Sequence, residues 1–204
     1  MKLLYATSNA SKLHSMRTIL KELPIEVMSP KDLDIKINIV EDGTTPIENA
    51  LKKAKAYYDA TGIPTLGADS GLYIEKLPEE KQPGLFIRRV NGIELTDEQV
   101  IEHYTNLITN VGGESLAWYM DGIALITVEG TFTTEIKEDS FILTDKIYSG
   151  EIKKGFPLDS ISIEPSSNKY YVELKDEELI KGSVIDNELV GFLGKNFINN
   201  QYKR

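Results

Sequence analysis

Cysteine is absent from this 204-residue chain, and histidine occurs only twice. The first absence excludes disulfides, thiolate zinc sites and a cysteine nucleophile. The second leaves histidine metal centres and a Ser-His-Asp triad poorly supplied. His14 and His103 lie far apart in helix-like segments and read as surface or structural residues. No stretch approaches the roughly 18–20 apolar residues of a membrane span. The apolar run at Met1–Ala6 is too short for a signal peptide, so the expectation is a cytoplasmic protein without a membrane partner. Positive charge is also scarce: 23 Lys and Arg against 32 Asp and Glu leave a formal charge of −9. Such a balance argues against a sequence-independent grip on nucleic acid. A small polyanion remains possible where lysines cluster beside a divalent cation. The common nucleotide loops, G-x-x-x-x-G-K-[ST] and G-x-G-x-x-G, do not occur.

With 41% hydrophobic and 27% charged residues, no repeat and no long linker, the chain reads as one soluble domain over residues 1–204. Lys2–Ala6 is a short buried strand. A helix follows with Leu13, Met16, Ile19, Leu20 and Leu23 near one face, stopped by Pro24. Residues 25–40 read as extended, with strand character ending at Ile37–Val40. The next helix is well marked. Thr45 and Glu48 have capping-box spacing, Pro46 stands at the first helical position, and Gly62 and Pro64 end it. Residues 63–67 read as a strand that delivers Ala68-Asp69-Ser70-Gly71 as a turn, with a strand resuming at Leu72–Glu75. Residues 76–92 are loop-like, and Thr96 with Gln99 caps a further amphipathic helix. Strands dominate from Ala117 to Ile147, with a hairpin turn at Glu129-Gly130. A final helix starts near Ser183, with Ile185, Leu189, Phe192 and Leu193 inward. This order predicts a mixed α/β fold: a long twisted sheet flanked by helices, with a strand-rich lobe over about 117–175 and a cleft between two lobes as the natural ligand site.

Chemistry-bearing residues gather in a few segments. Thr7-Ser8-Asn9-Ala10-Ser11-Lys12 joins a strand end to a helix start, where backbone N–H groups, small polar side chains and a lysine can meet phosphate. The plain alternative is an N-cap with a solvent lysine. Glu41 and Asp69 offer hard oxygen ligands of the kind Mg²⁺ takes while it keeps several waters on phosphates. The alternative for Asp69 is a turn aspartate bonding its own backbone. Asn49 and Lys53 share a helix face that could look toward phosphates, although Lys53 also belongs to a run with Lys52 and Lys55. Arg89 follows the Pro83-Gly84 turn and suits bidentate phosphate binding, or is a surface arginine. Phe156 could stack on a base and Asp159 accept from its edge; otherwise they are a core and a turn residue.

Jointly these segments resemble the inosine triphosphate pyrophosphatase family, the house-cleaning purine nucleoside triphosphate pyrophosphatases. T-x-N-x-x-K is matched by Thr7, Asn9 and Lys12, and an acidic-Gly-Thr stretch by Glu41–Thr44. E-N-A-x-x-K-A is matched by Glu48, Asn49, Ala50, Lys53 and Ala54, and D-S-G-L by Asp69–Leu72. P-G with a following arginine is matched by Pro83, Gly84 and Arg89, and G-F-x-x-D by Gly155, Phe156 and Asp159. The matches run in order over about residues 1–190. The resemblance implies an elongated fold with a central cleft, usually a homodimer, and Mg²⁺-dependent hydrolysis of a nucleoside triphosphate to monophosphate and pyrophosphate. Mn²⁺ suits the same oxygen ligands. It further implies Glu41 and Asp69 as metal ligands, with Asp69 and Lys53 catalytic. Thr7, Asn9, Lys12, Ser70 and Arg89 would hold phosphates, and Phe156 and Asp159 would belong to the base pocket.

The chain departs from that family at particular places. Ala68 stands where a second aspartate is usual. Ser183-Val184-Ile185 stands where the family has S-H-R, and its preceding lysine is lost at Leu179–Ile185, with Lys181 off register. The turn after Phe156 reads Pro157-Leu158-Asp159-Ser160. The phosphate half is kept and the base half is altered. Two other classes therefore stand beside the enzyme: a nucleotide-binding protein without turnover, and a phosphatase acting on another phosphorylated metabolite. Loss of hydrogen-bonding groups from a pocket can erase discrimination of ~10⁴. The chain should accordingly show no strong preference for inosine or xanthosine triphosphate over other triphosphates, as kcat/KM ratios across a nucleotide panel will measure.

Overall fold

The computed structural model describes residues 1–175 and 184–199. By internal contacts the chain forms two units. The first comprises residues 1–70, 120–138 and 180–204; the second comprises 71–119 and 139–179. Strand β3 (Thr65–Ile74) and strand β6 (Glu114–Thr127) each have residues in both units.

In the first unit, β1 (Lys2–Tyr5) pairs in parallel with β2 (Glu26–Met28) and with β3. Each parallel crossover carries a helix or a long excursion, as parallel pairing requires. Helix α1 (Ala10–Ile19) links β1 to β2, and α2 (Pro46–Thr61) precedes β3. Beyond Tyr119, β6 runs antiparallel to β7 (Gly130–Lys137). Helix α4 (Val184–Leu193) continues as a π-helix over Gly194–Ile198. One core joins Leu3, Tyr5, Leu66 and Ile123 to Leu189, Leu193 and Phe197, with Ile185 and Phe192 packed against it. Ser183, the expected helix start, lies outside the described residues.

The second unit holds the hairpin of β4 (Arg89–Val90) and β5 (Ile93–Glu94) and the helix α3 (Asp97–Thr109). It also holds an antiparallel run of β6, β8 (Phe141–Thr144), β9 (Ser162–Glu164) and β10 (Lys169–Tyr170). Its core gathers Leu72, Ile74, Val100, Tyr104, Ile108, Phe141, Leu158 and Ile161. Thr96 and Gln99 form the full reciprocal cap expected of them.

Several expectations need correction. Ala68-Asp69-Ser70-Gly71 is not a turn: β3 is continuous from Thr65 to Ile74. The turn chemistry of Asp-Ser-Gly is a local preference, here overridden by the sheet and by partners that take the Asp69 carboxylate. Ile37–Val40 forms no strand. The chain there is irregular, yet Ile35, Ile37 and Ile39 alternate onto a small core of Leu4, Ala6 and Tyr57. The alternation reported burial, and no ladder accompanies it. Only half of the Thr45–Glu48 box exists. The Thr45 hydroxyl accepts from the Glu48 N–H, whereas the Glu48 carboxylate accepts from the Thr44 N–H (2.6 Å) and hydroxyl (2.9 Å). These bonds hold the Glu48 carboxyl below the usual carboxylate range.

Two glycines set how α2 lies on the sheet. A Cβ on Gly67 would stand 2.1 Å from the Ala50 carbonyl oxygen, and one on Gly122 would stand 2.2 Å from the Ile47 nitrogen. Helix backbone therefore meets strand backbone directly. Gly67→Ala should overpack this contact and destabilise the protein by about 1–3 kcal/mol, read as a lower urea midpoint at unchanged m-value.

Candidate functional site

Helix α2 begins with the N-cap Thr45 and with Pro46 at its first position, which fixes where its next turns fall. Asn49 and Lys53, four residues apart, share a face. Gly67 and Asp69, two apart on β3, also share a face. The close approach of α2 at Gly67 therefore brings Asn49 and Lys53 over Asp69. The Asn49 Nδ2 donates to Asp69 Oδ2 at 2.8 Å, and the Lys53 ammonium reaches Asp69 Oδ1 at 3.2 Å. The same ammonium donates to Glu41 Oε2 at 2.7 Å. Glu41 is thus brought to Asp69 through one lysine.

The loop carrying Glu41 is tied by the other end of the same amide. Asn49 Oδ1 accepts the Gly43 N–H at 2.8 Å, and Asn49 is only 3% exposed. Its orientation follows from its partners, since the oxygen meets a donor and the nitrogen meets a carboxylate. A Cβ on Gly43 would fall 2.6 Å from Asn49 Oδ1 and 2.8 Å from Glu48 Cβ, so the loop comes this near only as glycine. Asp42 pairs with Lys52 at the surface, and that bond holds its carboxyl below the usual range. Lys53, with 12% of its side chain exposed, is no solvated lysine, and Asp69 is 18% exposed. Glu41, at 46%, is the open side of the group.

The Thr7–Lys12 segment opens α1 in the same unit. Asn9 is the N-cap: its Oδ1 accepts from the N–H of Ser11 (2.9 Å) and Lys12 (3.2 Å), and its own N–H donates to the Thr7 hydroxyl (3.1 Å). This qualifies the expectation of open backbone donors, because the cap takes two of them. What the segment presents is the exposed polar loop and the exposed Lys12. Ser70 follows Asp69 on β3.

Sequence reasoning missed Asp121. This carboxylate sits on β6 at 4% exposure. It alternates with Gly122, which meets α2, so it lies on the opposite face of the strand. Burial first, and then the charges of Asp121 and Asp69, push the Tyr5 hydroxyl upward in pKa. A lone carboxylate inside the apolar run Met120–Thr127 was the available signal, since unpaired acids are rare in a core. Asn49 was read only as sharing a face with Lys53, and its part in joining Gly43 to Asp69 was not seen. Among the described residues, no group of three or more Asp, Glu, His or Cys is placed to hold a metal. Glu41 and Asp69 are the carboxylate pair that could hold one.

The second unit carries the other candidates. Phe156 is half-buried and precedes the 3-10 turn Pro157–Ser160, which contains Asp159. Arg89 is exposed on β4, in register with Glu94. Its neighbour Arg88 makes the directed bonds, to Asp97 at 2.7 Å and to the Gly155 carbonyl at 3.1 Å. The two histidines fit their ordinary reading. His14 is exposed on α1, and His103 lies edge-on to Tyr104, with burial lowering its pKa.

The pattern of the Ham1 family matches residues 3–184 of the chain. A protein of Leptospira interrogans named dITP/XTP pyrophosphatase is 32% identical over 178 residues, covering 86% of this chain and 87% of that one. A protein of the same name from Aquifex aeolicus is 32% identical over 193 residues, covering 87% and 88%. Among solved structures, a HAM1 protein from Coxiella burnetii superposes with a TM-score of 0.73 at 26% identity, covering 96% of this chain and 99% of that one. The Staphylococcus aureus Ham1 protein shares the fold with a TM-score of 0.74 at 24% identity, with the same coverage.

Asn49→Leu removes both bonds of the bridging amide and leaves the buried Gly43 N–H without an acceptor. It should lower stability by about 1–3 kcal/mol, measured by urea denaturation, and lower turnover in parallel because Glu41 and Asp69 are no longer held together.

Proposed function

The chain belongs to the Ham1 family, and we propose that the Glu41–Lys53–Asp69 group, oriented by Asn49, is its hydrolytic centre. The protein is a nucleoside-triphosphate pyrophosphatase, a hydrolase of the phosphoric anhydride bond in non-standard nucleotides, like its relatives named dITP/XTP pyrophosphatase. One observation carries the residue assignment: a single lysine ammonium bridges two carboxylates from distant segments, and one of them is locked by a buried amide.

In the proposed reaction a water attacks the α-phosphorus, the bond from that phosphorus to the bridging oxygen breaks, and monophosphate and pyrophosphate leave. Asp69 lies where a carboxylate can orient the water and take its proton. Lys53 offsets charge that develops on the phosphate oxygens. Thr7, Asn9, Lys12 and Ser70 are proposed to hold the phosphate chain, with Arg89 as a further cationic contact. Phe156 and Asp159 are proposed to meet the base.

Glu41 and Asp69 fit a hard divalent cation, Mg²⁺ or Mn²⁺, which prefers few protein carboxylates when phosphate and water supply its other oxygens. Bound there, the ion supplies charge neutralisation and polarises phosphate oxygen. Lys53 holds one oxygen of each carboxylate, which would leave the second oxygen of Glu41 to such an ion. A homodimer acting on a small nucleotide, without nucleic acid, completes the reading, supported by the resemblance in sequence.

Pyrophosphate release with Mg²⁺ across standard, deaminated and oxidised triphosphates tests this. Asp69→Asn should lower kcat by about 10²-fold or more, with the fold retained by far-UV circular dichroism and the thermal midpoint lowered by loss of the charged partner of Asn49 and Lys53. Lys53→Ala should lower kcat and raise KM. An active Asp69→Asn enzyme, or release of inorganic phosphate alone, would overturn the assignment.

A further inference from the structure

In the second unit, one residue is gripped through both of its backbone polar groups. The Gly155 N–H donates to Asp97 Oδ2 at 2.7 Å, and the Gly155 carbonyl accepts from Arg88 Nη2 at 3.1 Å. The same Arg88 nitrogen donates to Asp97 Oδ1 at 2.7 Å. Arg88, Asp97 and Gly155 thus form a closed set of three charge-assisted bonds drawn from three segments. Such bonds are about twice as strong as neutral ones. Asp97 occupies the first turn of α3, capped by Thr96, so its carboxylate is anchored on regular structure. The bond from Gly155, and then Arg88, hold the Asp97 carboxyl below the usual range.

This grip acts on an exposed peptide that needs it. Gly155 has φ +86°, a conformation that side chains other than glycine rarely adopt. The next residue is Phe156, whose backbone then turns into Pro157. Lys153 Nζ lies 4.7 Å from the centre of the Phe156 ring and covers one of its faces. The ring is therefore fixed at its base by Arg88 and Asp97 and attended on one face by a cation. The tether also seats the Pro157–Ser160 turn, whose Leu158 packs in one core with Val100 and Tyr104 of α3. At its exposed end it sets where the backbone delivers the Phe156 ring.

We propose that Arg88 and Asp97 are positioning residues for nucleobase recognition, which hold the Gly155 peptide so that Phe156 presents its ring to the base of the substrate. The proposal rests on the reading of Phe156 as a base-contacting residue. It makes base affinity depend on a charged pair that does not touch the base, and it separates Arg88 from Arg89. The pair acts on binding of the base and leaves the reacting phosphate to other residues. Released, the Gly155 peptide samples several conformations, and only a fraction of them places the ring correctly. Apparent affinity falls by that fraction.

Kinetics of pyrophosphate release from inosine triphosphate, together with its equilibrium dissociation constant in Ca²⁺, test the proposal in wild type, Arg88→Ala, Asp97→Asn and Phe156→Ala, and in the double variant R88A/F156A. Arg88→Ala and Asp97→Asn should each raise KM and the dissociation constant by about ten-fold, with kcat within about three-fold of wild type. Arg88→Lys, which keeps the charge and loses the fork, should restore part of the affinity. Once Phe156 is gone, removing Arg88 should change KM by less than about two-fold. Full additivity in the double variant would overturn the proposal, as would an unchanged KM in both single variants. A wild type that binds nucleotide without releasing pyrophosphate would overturn the hydrolytic function and leave the dissociation constants to decide on Arg88 and Asp97. A wild type that neither binds nor hydrolyses would overturn both.

Discussion

A single buried side-chain amide organises the first unit. Asn49 presents one acceptor and one donor, and the structure uses them on groups from opposite directions: the Gly43 N–H of the acidic loop and the Asp69 carboxylate of β3. Both partners fix which way the amide points, so neither can leave without stranding it. Glu41 depends on this arrangement through the loop, and Lys53 depends on it through the helix. Two carboxylates beside one ammonium form an ordinary charged cluster; the amide beneath turns it into a fixed geometry. Charge is left on the open side of the group, at Glu41.

Much of this was legible in the sequence because it is written in short spacings. Thr45-Pro46 and Gly62 define the ends of α2 whatever surrounds it, and a four-residue interval places Asn49 and Lys53 on one face. The hairpin turn at Glu129-Gly130 and the capping box of α3 are of the same kind. The continuity of β3 through Asp69-Ser70-Gly71 was not legible. Its residues favour a turn, and the partners that hold them extended come from far along the chain. The segment before Val40 shows the converse: period-two burial is present, and the pairing strand that usually goes with it is missing. The role of Glu48 was half legible, since a helix start has several unpaired N–H groups and the carboxylate took that of Thr44.

Of the candidate site, the segments carrying Glu41, Lys53 and Asp69 were readable and the amide that joins them was not. Glu41, Lys53 and Asp69 are charged residues inside ordered motifs, whereas the function of Asn49 appears only when both of its partners are placed. Asp121 stands as a buried acid in a strand that otherwise reads as apolar. The pair Arg88-Arg89 could not be divided by composition. The fold divides it by the proximity of Asp97 to Arg88, which leaves that arginine half-buried and Arg89 exposed on β4.

The glycines at 67 and 122 have a consequence for how this sequence can drift. Where a helix rests on a sheet through interlocking side chains, each exchange of one apolar residue for another changes the spacing by fractions of an ångström. Here no side chain stands between Ala50 and Gly67, or between Ile47 and Gly122, and the gap is set by the radii of main-chain atoms. Those radii are the same in every protein. The distance from the helix to Asp69 is thereby uncoupled from the composition of the surrounding core. Most of that core is free to be rewritten without moving the helix from Asp69.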